Sequence, residues 1–342
     1  MEKILTVSIA AYNVEKYIEK ALNSLLIPSI DKLEILVQDD GSKDDTYIIS
    51  KKYEEKYPKS IKVIKKENGG YGSTINSSIK MATGKYFKQL DGDDWYDINN
   101  LELLVKELEK IDVDVIYTPY YKIFEINNKL QIIDNIFQNK KGIYELENVV
   151  KDFCGKNYKS LAMHSLIFRT KLLKENKIKC LEKCFYTDNE FVLYPLIYAK
   201  TIYINHDLKI YYYRIGREGQ SISLESRRKN YRDILKVSKK SLEIIPSVES
   251  EKSFLKDYIF EYISIILGSS ILNFLLVLSL SVENLKKIKE FDLYIKDKNI
   301  FLYKKMEEKS KTIFFLRKSL YFLYPILHYR AIIKIKKGLK NE

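Results

Sequence analysis

Cysteine is nearly absent from this chain. Cys154, Cys180 and Cys184 are the only three, an odd count at spacings that match neither a zinc signature nor a disulfide framework, so a reducing cytoplasm fits best. Glycine and proline are sparse too, at 12 and 6 among 342 residues, and no low-complexity linker or internal repeat interrupts the sequence. With 46% hydrophobic residues, the chain can bury a real core, which excludes a disordered protein. The opening, MEKILTVSIAAYN, lacks the apolar core and small-residue cleavage site of a signal peptide and reads as a strand. Heavy use of Lys, Ile, Tyr and Asn is the mark of a low-GC genome and carries no chemistry.

The charge is present and uneven. The net value is +13, and residues 283–342 hold sixteen Lys and Arg against seven Asp and Glu. A basic end predicts an anionic partner, either nucleic acid or a membrane surface. One stretch, Tyr262 to Val282, runs twenty-one residues without a charge. It reads either as a membrane span or as a buried helical hairpin turning near Gly268.

The first hundred residues alternate between strand and helix patterns. Strands are expected at Leu5–Ala10, Leu33–Val37, Ile61–Ile64 and Tyr86–Leu90. Helices are expected at Val14–Leu26, at Asp44–Lys56 with Ser42 as cap, and at Ser73–Ala82 ended by Gly84. Such alternation implies a mostly parallel sheet with helices on its faces, and ligands bind beyond the carboxyl ends of its strands. Three polar clusters follow those ends: Ala11-Tyr12-Asn13, Asp39-Asp40-Gly41-Ser42 and Asp91-Gly92-Asp93-Asp94. Beyond about 114 the pattern is mixed. Val113–Phe124, Leu130–Ile133 and Leu161–Arg169 read as strands, Asn189–Ala199 as a helix and Thr201–Tyr213 as a hairpin. From 226 the chain reads as helices.

Asp91-x-Asp93 at a strand end points two carboxylates the same way. Hard divalent cations take carboxylate and phosphate oxygens, so a metal between these acids and a diphosphate would relieve their repulsion, and Gly92 leaves room for a ligand near the backbone. A solvated acidic turn opening the next helix would look the same. Asp40 could accept from a nucleobase N–H, or merely shape a turn. His164, in LAMHSLIF, reads as a mid-strand core or pocket-wall residue, and His206 and His328 read as surface residues.

Four ordered blocks, SIAAYNVEKYIEKALNSLL, ILVQDDGSKDDT, ENGGYGSTINSSIKMATGKYF and QLDGDDW, resemble family 2 glycosyltransferases of bacterial surface-polysaccharide type. The later FYTDNEFVLYPL, TIYINHDLKIYYYR and SIS also look like that family, over about residues 4 to 223. The resemblance implies an α/β GT-A fold, Rossmann-like, with a nucleotide-sugar-binding catalytic domain at 1–225 and an all-helical region at 226–342. It implies that Tyr12 lines the base, that Asp40 bonds it, and that Ala10, Asn68, Gly70, Asp91, Gly92 and Trp95 contact the nucleotide-sugar. Asp93 of the DxD motif would hold Mn²⁺ or Mg²⁺, and Asp188 would be the general base. Asp94, His164, Arg214, Arg217 and Gln220 are candidates for acceptor or phosphate contacts. Ile75 departs from the pattern, since many members carry Arg there; the Asn68–Thr74 turn could replace it through backbone N–H groups.

The implied activity is an inverting, metal-dependent hexosyl transfer from a nucleotide-sugar, most often a UDP-sugar, to a glycan or lipid-linked acceptor. A catalytically silent binding or scaffold protein on the same fold is the alternative. The aromatic and basic end, Lys309 to Glu342, resembles an interfacial helix broken at Pro325. It points to a peripheral protein at the inner face of the cell membrane, with no nucleic-acid partner.

Overall fold

A computed structural model of the chain describes residues 2–136, 139–154, 158–217, 220–245 and 253–341. Its contacts form two compact units, one of residues 1–150 and 159–214, the other of 151–158 and 215–342.

The first unit is built on strands β1 (Leu5–Ala11), β2 (Leu33–Asp39), β3 (Ile61–Lys65) and β4 (Tyr86–Asp91). These join β6 (Val115–Tyr117), β9 (Gly142–Glu145), β10 (Leu166–Arg169) and β11 (Thr201–Ile204) in one eight-stranded sheet of order β3-β2-β1-β4-β10-β6-β11-β9. Only β10 and β9 run antiparallel to the rest. β1, β2 and β4 are buried almost throughout, as apolar strands covered on both faces must be. A second sheet, β5-β12-β7-β8, is made from β5 (Trp95–Tyr96), β7 (Tyr120–Phe124), β8 (Lys129–Ile133) and β12 (Tyr211–Ile215).

Helices α1 (Ile18–Asn23), α2 (Thr46–Lys56), α3 (Tyr71–Met81), α4 (Ile98–Leu108), α5 (Leu146–Lys151), α6 (Thr170–Glu175) and α7 (Asp188–Tyr198) fill the connections. α4 is the clearest amphipathic case. Leu101, Leu104, Val105 and Leu108 are buried at helical spacing, and the Asp97 side chain caps the Asn100 N–H.

Several expectations need correction, each for a physical reason. Val113–Phe124 is not one strand. Pro119 has no N–H for a ladder, and the chain leaves the large sheet at Tyr117 to enter the small one at Tyr120. Thr201–Tyr213 is not a hairpin, because β11 pairs with β6 and β9 while β12 pairs with β5. Leu161–Arg169 is a strand only from Leu166, and Met163–Ser165 is a 3-10 turn that carries His164. The Lys88 ammonium reaches the carbonyls of His164 (2.8 Å) and Leu166 (3.2 Å), binding there where backbone pairing has lapsed. Ser42 does not cap α2; its hydroxyl accepts from the Asn13 N–H at 3.0 Å. α3 stops at Met81, before Gly84, which is small because the β1 backbone at Thr6 would lie 2.6 Å from any Cβ.

The second unit is helical: α8 (Leu224–Lys229), α9 (Tyr231–Leu242), α10 (Phe254–Ser269), α11 (Val282–Lys298), α12 (Ile300–Lys309), α13 (Lys311–Lys318) and α14 (Tyr324–Asn341). α10 runs through Gly268 without turning and continues as a π-turn over Ser270–Leu275, so the expected hairpin is absent. The 254–275 segment is long and apolar enough to cross a membrane, but 78% of its most apolar window is buried within the protein. A core helix meets the same criteria. Pro325 sits in the first turn of α14, after the break that follows α13.

Two buried charges of this unit, Arg317 and Asp292, pair with each other. The Arg317 guanidinium takes both oxygens of Asp292 and lies 3.4 Å over the Tyr303 ring, while the Tyr321 hydroxyl donates to Asp292 at 2.6 Å. His328 is buried, not on the surface, with Nδ1 2.7 Å from the Leu276 carbonyl. His206 of the first unit is half-buried, its ring nitrogens 2.7 Å from Asp134 Oδ2 and 2.6 Å from the Asn139 carbonyl.

Candidate active site

The parallel register brings the polar clusters to one edge. Ala11 at the end of β1 is opposite Asp39 of β2, and Ala10 is opposite Asp91 of β4. Gly92 then folds back, its N–H donating to the Ala10 carbonyl at 3.0 Å. A Cβ at Gly92 would meet that same oxygen at 2.9 Å, so the glycine is required by the approach of β1. Tyr12 stands 47% exposed at the rim beside Asn13, which has a φ of 51°.

Asp40 organises the neighbouring turn. Its two oxygens accept from the N–H groups of Gly69 (2.9 Å) and Gly70 (2.8 Å), and the Lys66 ammonium pairs with it. Gly70, at φ 78°, is the N-cap of α3, so the anion at this helix N-terminus is the protein's own carboxylate. Those two N–H groups are therefore already engaged, whatever approaches the turn from outside. Asn68 is exposed beside it, and Ile75 is wholly buried in α3. Gly69–Gly72 is also pressed against the segment leading to Asp188. Lys183 N–H donates to the Gly69 carbonyl, and Asn76 makes a reciprocal pair with the Cys180 backbone at 2.8 and 2.9 Å.

The acidic loop after β4 is held from several sides. The Tyr71 hydroxyl donates to Asp91 at 2.6 Å, with Met163 Sδ 3.0 Å from it. Asp93 is half-buried, and its carbonyl accepts from Arg214 Nε at 2.8 Å. Asp94 is only 1% exposed; it accepts from the Tyr211 hydroxyl at 2.7 Å and the Arg214 N–H at 2.8 Å. Burial, then the charges of Asp93 and Asp91, hold its carboxyl well above the usual carboxylate range. Asp94 thus acts as an internal tie between β4 and β12. Trp95 stacks on Tyr212 (5.2 Å, 8°), which stacks on Tyr121 (4.7 Å), with Lys20 and Arg214 over the indole at 3.2 and 4.9 Å.

Asp188 opens α7. Desolvation of its carboxyl pushes its pKa up, opposed by the backbone N–H groups of the helix start. The residue as a whole is exposed, and solvent screening tempers that shift. Its charge is felt at Tyr71 and Tyr213, the tyrosines that also feel Asp91 and Asp94, so these acids share one field. The loop into Asp188 holds Lys183 and Tyr186 at φ of 51° and 67°, backbone strain of the sort that gathers at functional sites.

His164 sits against three tyrosines, 4.3 Å from the Tyr213 ring, 4.8 Å from Tyr211 and 5.0 Å from Tyr120. Burial, with the charges of Lys88 and Lys122, lowers its pKa to about 3, so the imidazole is neutral. One ligand atom from each of Asp91, Asp94 and His164 lies within 4.8 Å of the others, a donor set that suits a divalent cation. Asp93 falls outside that group. Arg217 and Gln220 belong to the second unit. There Gln220 is buried and accepts from the Gly216 N–H at 2.8 Å. A separate hollow of about 680 Å³ on the α3–α6 flank, lined by Lys80, Lys174, Lys177 and Lys179 among others, includes none of these acids but Lys66 and Ser73 border both.

Residues 6–174 match the profile of the family described as Glycosyl transferase family 2. The chain belongs to that family. Among curated relatives, an uncharacterized glycosyltransferase of Rickettsia prowazekii is 29% identical over 60% of this chain and 63% of its own length. Glycosyltransferase GlyA of Streptococcus pneumoniae is 29% identical over 62% of this chain and 31% of its own. The aligned stretches thus span less than two thirds of these relatives. Among solved structures, S. aureus TarS 1–349, crystallised with UDP-GlcNAc, superimposes with a TM-score of 0.66 at 22% identity, over 98% of this chain and 89% of that one. The fold of this family 2 member is therefore the GT-A α/β sheet followed by a helical region.

The sequence motifs did not flag Tyr71, Tyr211, Lys66 or Lys88, which tie the acids in place. Lys88 did carry a signal: a charge in the middle of the buried strand YFKQL must find partners. The tyrosines carried none, because 28 are spread through the chain.

Proposed function

We propose that this glycosyltransferase is a metal-dependent, inverting enzyme that moves a sugar from a nucleoside diphosphate donor, a UDP-sugar, to a glycan or lipid-linked acceptor of the cell surface. The observation that carries this reading is the convergence of Asp91, Asp93 and Asp94 with the field of Asp188 at the carboxyl edge of β1, β2 and β4. Asp188 takes the acceptor hydroxyl proton as the new bond forms. Asp91, with Asp93 and Asp94 beside it, would hold the cation, whose positive charge would stabilise the departing nucleoside diphosphate. Attack opposite that leaving group inverts the anomeric carbon. Tyr12 at the rim and Asp40 behind the Gly-rich turn bound the nucleoside end. TarS, crystallised with UDP and with UDP-GlcNAc, supports the choice of nucleotide through its similar fold.

The membrane reading draws on the second unit. Leu320 and Phe322, between α13 and α14, are 73% and 85% exposed, and Ile326, Tyr329 and Ile333 are exposed beside Arg330 and Lys334. Apolar and cationic side chains in this mixture suit an anionic membrane surface, and the acceptor would then be met there.

The test is donor turnover across a panel of UDP-sugars, with Mn²⁺ and with chelator, for wild type and Asp188→Asn. Loss of the base should lower kcat by about 10²–10⁴-fold while UDP binding holds. In wild type the rate should fall as pH drops through a pKa raised above that of a free aspartate, because only the ionised base accepts a proton. Unchanged turnover in Asp188→Asn, or no metal response with any donor, would remove the proposal.

A further inference from the structure

We propose that His164 supplies a nitrogen ligand to the cation alongside Asp91 and Asp94, and thereby biases the site toward Mn²⁺ over Mg²⁺. This rests on the metal-dependent reading above. Among the described residues, Asp91, Asp94 and His164 form the one grouping of three His, Cys or carboxylate side chains whose ligand atoms lie within 4.8 Å of each other. Ligands at about 2.0–2.2 Å from one ion span only slightly less than that, so small side-chain rotations close the set.

Aromatic packing explains where the ring sits, but not its polarity. Nδ1 of His164 is buried and has no hydrogen-bond partner. An orphaned buried group of this kind costs about 1–3 kcal/mol unless something unseen satisfies it. The ring is also fixed in place. Lys88 holds the His164 carbonyl, the Tyr213 and Tyr120 rings lie against the imidazole, and the Tyr211 ring at its edge belongs to the hydroxyl that donates to Asp94. Such anchoring of a ligand by its neighbours is what second-shell contacts provide at metal centres. Asp94 uses one lone pair of each oxygen on Tyr211 and Arg214, and each oxygen keeps another.

A nitrogen donor changes which ion is preferred. Mg²⁺ favours all-oxygen octahedra, while imidazole binds the later first-row ions better. The chain has three histidines. His206 already has both ring nitrogens within hydrogen-bond distance of protein oxygens, and His328 lies in the helical unit with Nδ1 at a carbonyl. A nitrogen signal from a bound ion can therefore be assigned by substitution.

The experiment uses the full chain without a histidine tag, loaded with Mn²⁺ alone and observed by pulsed EPR for ¹⁴N coupling. Mn²⁺ affinity is measured by titration and Mg²⁺ by competition. Wild type and His206→Gln should show the coupling. His164→Gln and His164→Ala, checked for native circular dichroism, should lose it and bind Mn²⁺ about tenfold or more weakly, with a smaller change for Mg²⁺. Should alanine fail to fold, the glutamine variant, which fills the cage, decides alone. Coupling that persists in either folded His164 variant, or Mn²⁺ bound by wild type without coupling, overturns the inference and leaves the metal reading standing. No Mn²⁺ uptake by wild type overturns both.

Discussion

Replacing Gly72 by alanine tests whether the Gly-rich turn and the segment leading to Asp188 form one rigid device. A Cβ on Gly72 would lie well inside 3.0 Å of the Leu181 carbonyl oxygen, with Leu181 C at 3.0 Å and Cys180 Cβ at 3.1 Å. The obstacle is backbone, and it cannot rotate away as a side chain would. Either α3 or the 180–187 segment must retreat by about 1 Å to restore ordinary contact. The segment is anchored by the Asn76–Cys180 pair and by Leu181 N–H to Glu190 at 2.8 Å. Overpacking of this kind costs about 1–3 kcal/mol, and the helix propensity gained over glycine offsets about 1 at most. A net loss of about 2 kcal/mol should lower the melting temperature by about 4–8 °C in a domain this size. If the segment yields instead, stability is spared and Asp188 moves; displacement of a catalytic group by about 1 Å costs on the order of 10² in rate. Melting and donor turnover are therefore measured together, with Gly142→Ala as control, where the nearest atoms are the Tyr144 ring at 3.5 Å. Gly72→Ala within a degree of wild type in melting and within twofold in kcat would refute the coupling.

Lys88→Met should change how stability depends on pH. Burial lowers the Lys88 pKa to about 7, so between there and its unfolded value the unfolded chain binds more protons, and wild-type stability should rise with pH across that window. The full shift would be worth about 5 kcal/mol, and two carbonyls holding the ammonium reduce it; a flat wild-type urea midpoint from pH 7 to 10 would contradict this. Arg317→Leu leaves Asp292 buried without its cation and should destabilise the helical unit by about 3–5 kcal/mol, with much of that recovered by adding Asp292→Leu; denaturation of the single and double variants decides it. Phe322→Asp should abolish sedimentation with vesicles containing anionic lipid and leave turnover on a soluble acceptor unchanged, whereas undiminished vesicle binding would exclude that surface.

What could be read from the sequence divides along a physical line. The strands β1 to β4 lie where apolar runs put them, because a strand buried on both faces has to be apolar throughout and its end is marked by the first polar cluster. The acids at 40, 91, 93 and 94 were legible as candidates for the same reason, each lying at or just past the end of a strand, whereas Asp188 was singled out only by the resemblance to the family. Local pattern failed where a distant residue decides the outcome. Leu161–Arg169 looks like a strand, but only from Leu166 does it find ladder partners in β6 and β4, and Met163–Ser165 closes a 3-10 turn instead. Thr201–Tyr213 looks like a hairpin until its two halves find partners in different sheets. The Gly-rich turn looks poised to offer N–H groups to a phosphate until Asp40, 29 positions earlier, occupies two of them. That last case alters how the site must work. With the N-terminus of α3 already satisfied by a carboxylate, and with Ile75 in place of a cation, this edge of the cleft brings little positive charge of its own to a diphosphate. Lys66 is the nearest cation at the turn, and it is paired to Asp40. On the proposed reaction, a metal ion at the acidic loop would then supply much of the charge that balances two donor phosphates, so dependence on a divalent cation should be steep, and steeper than in a relative that keeps the arginine.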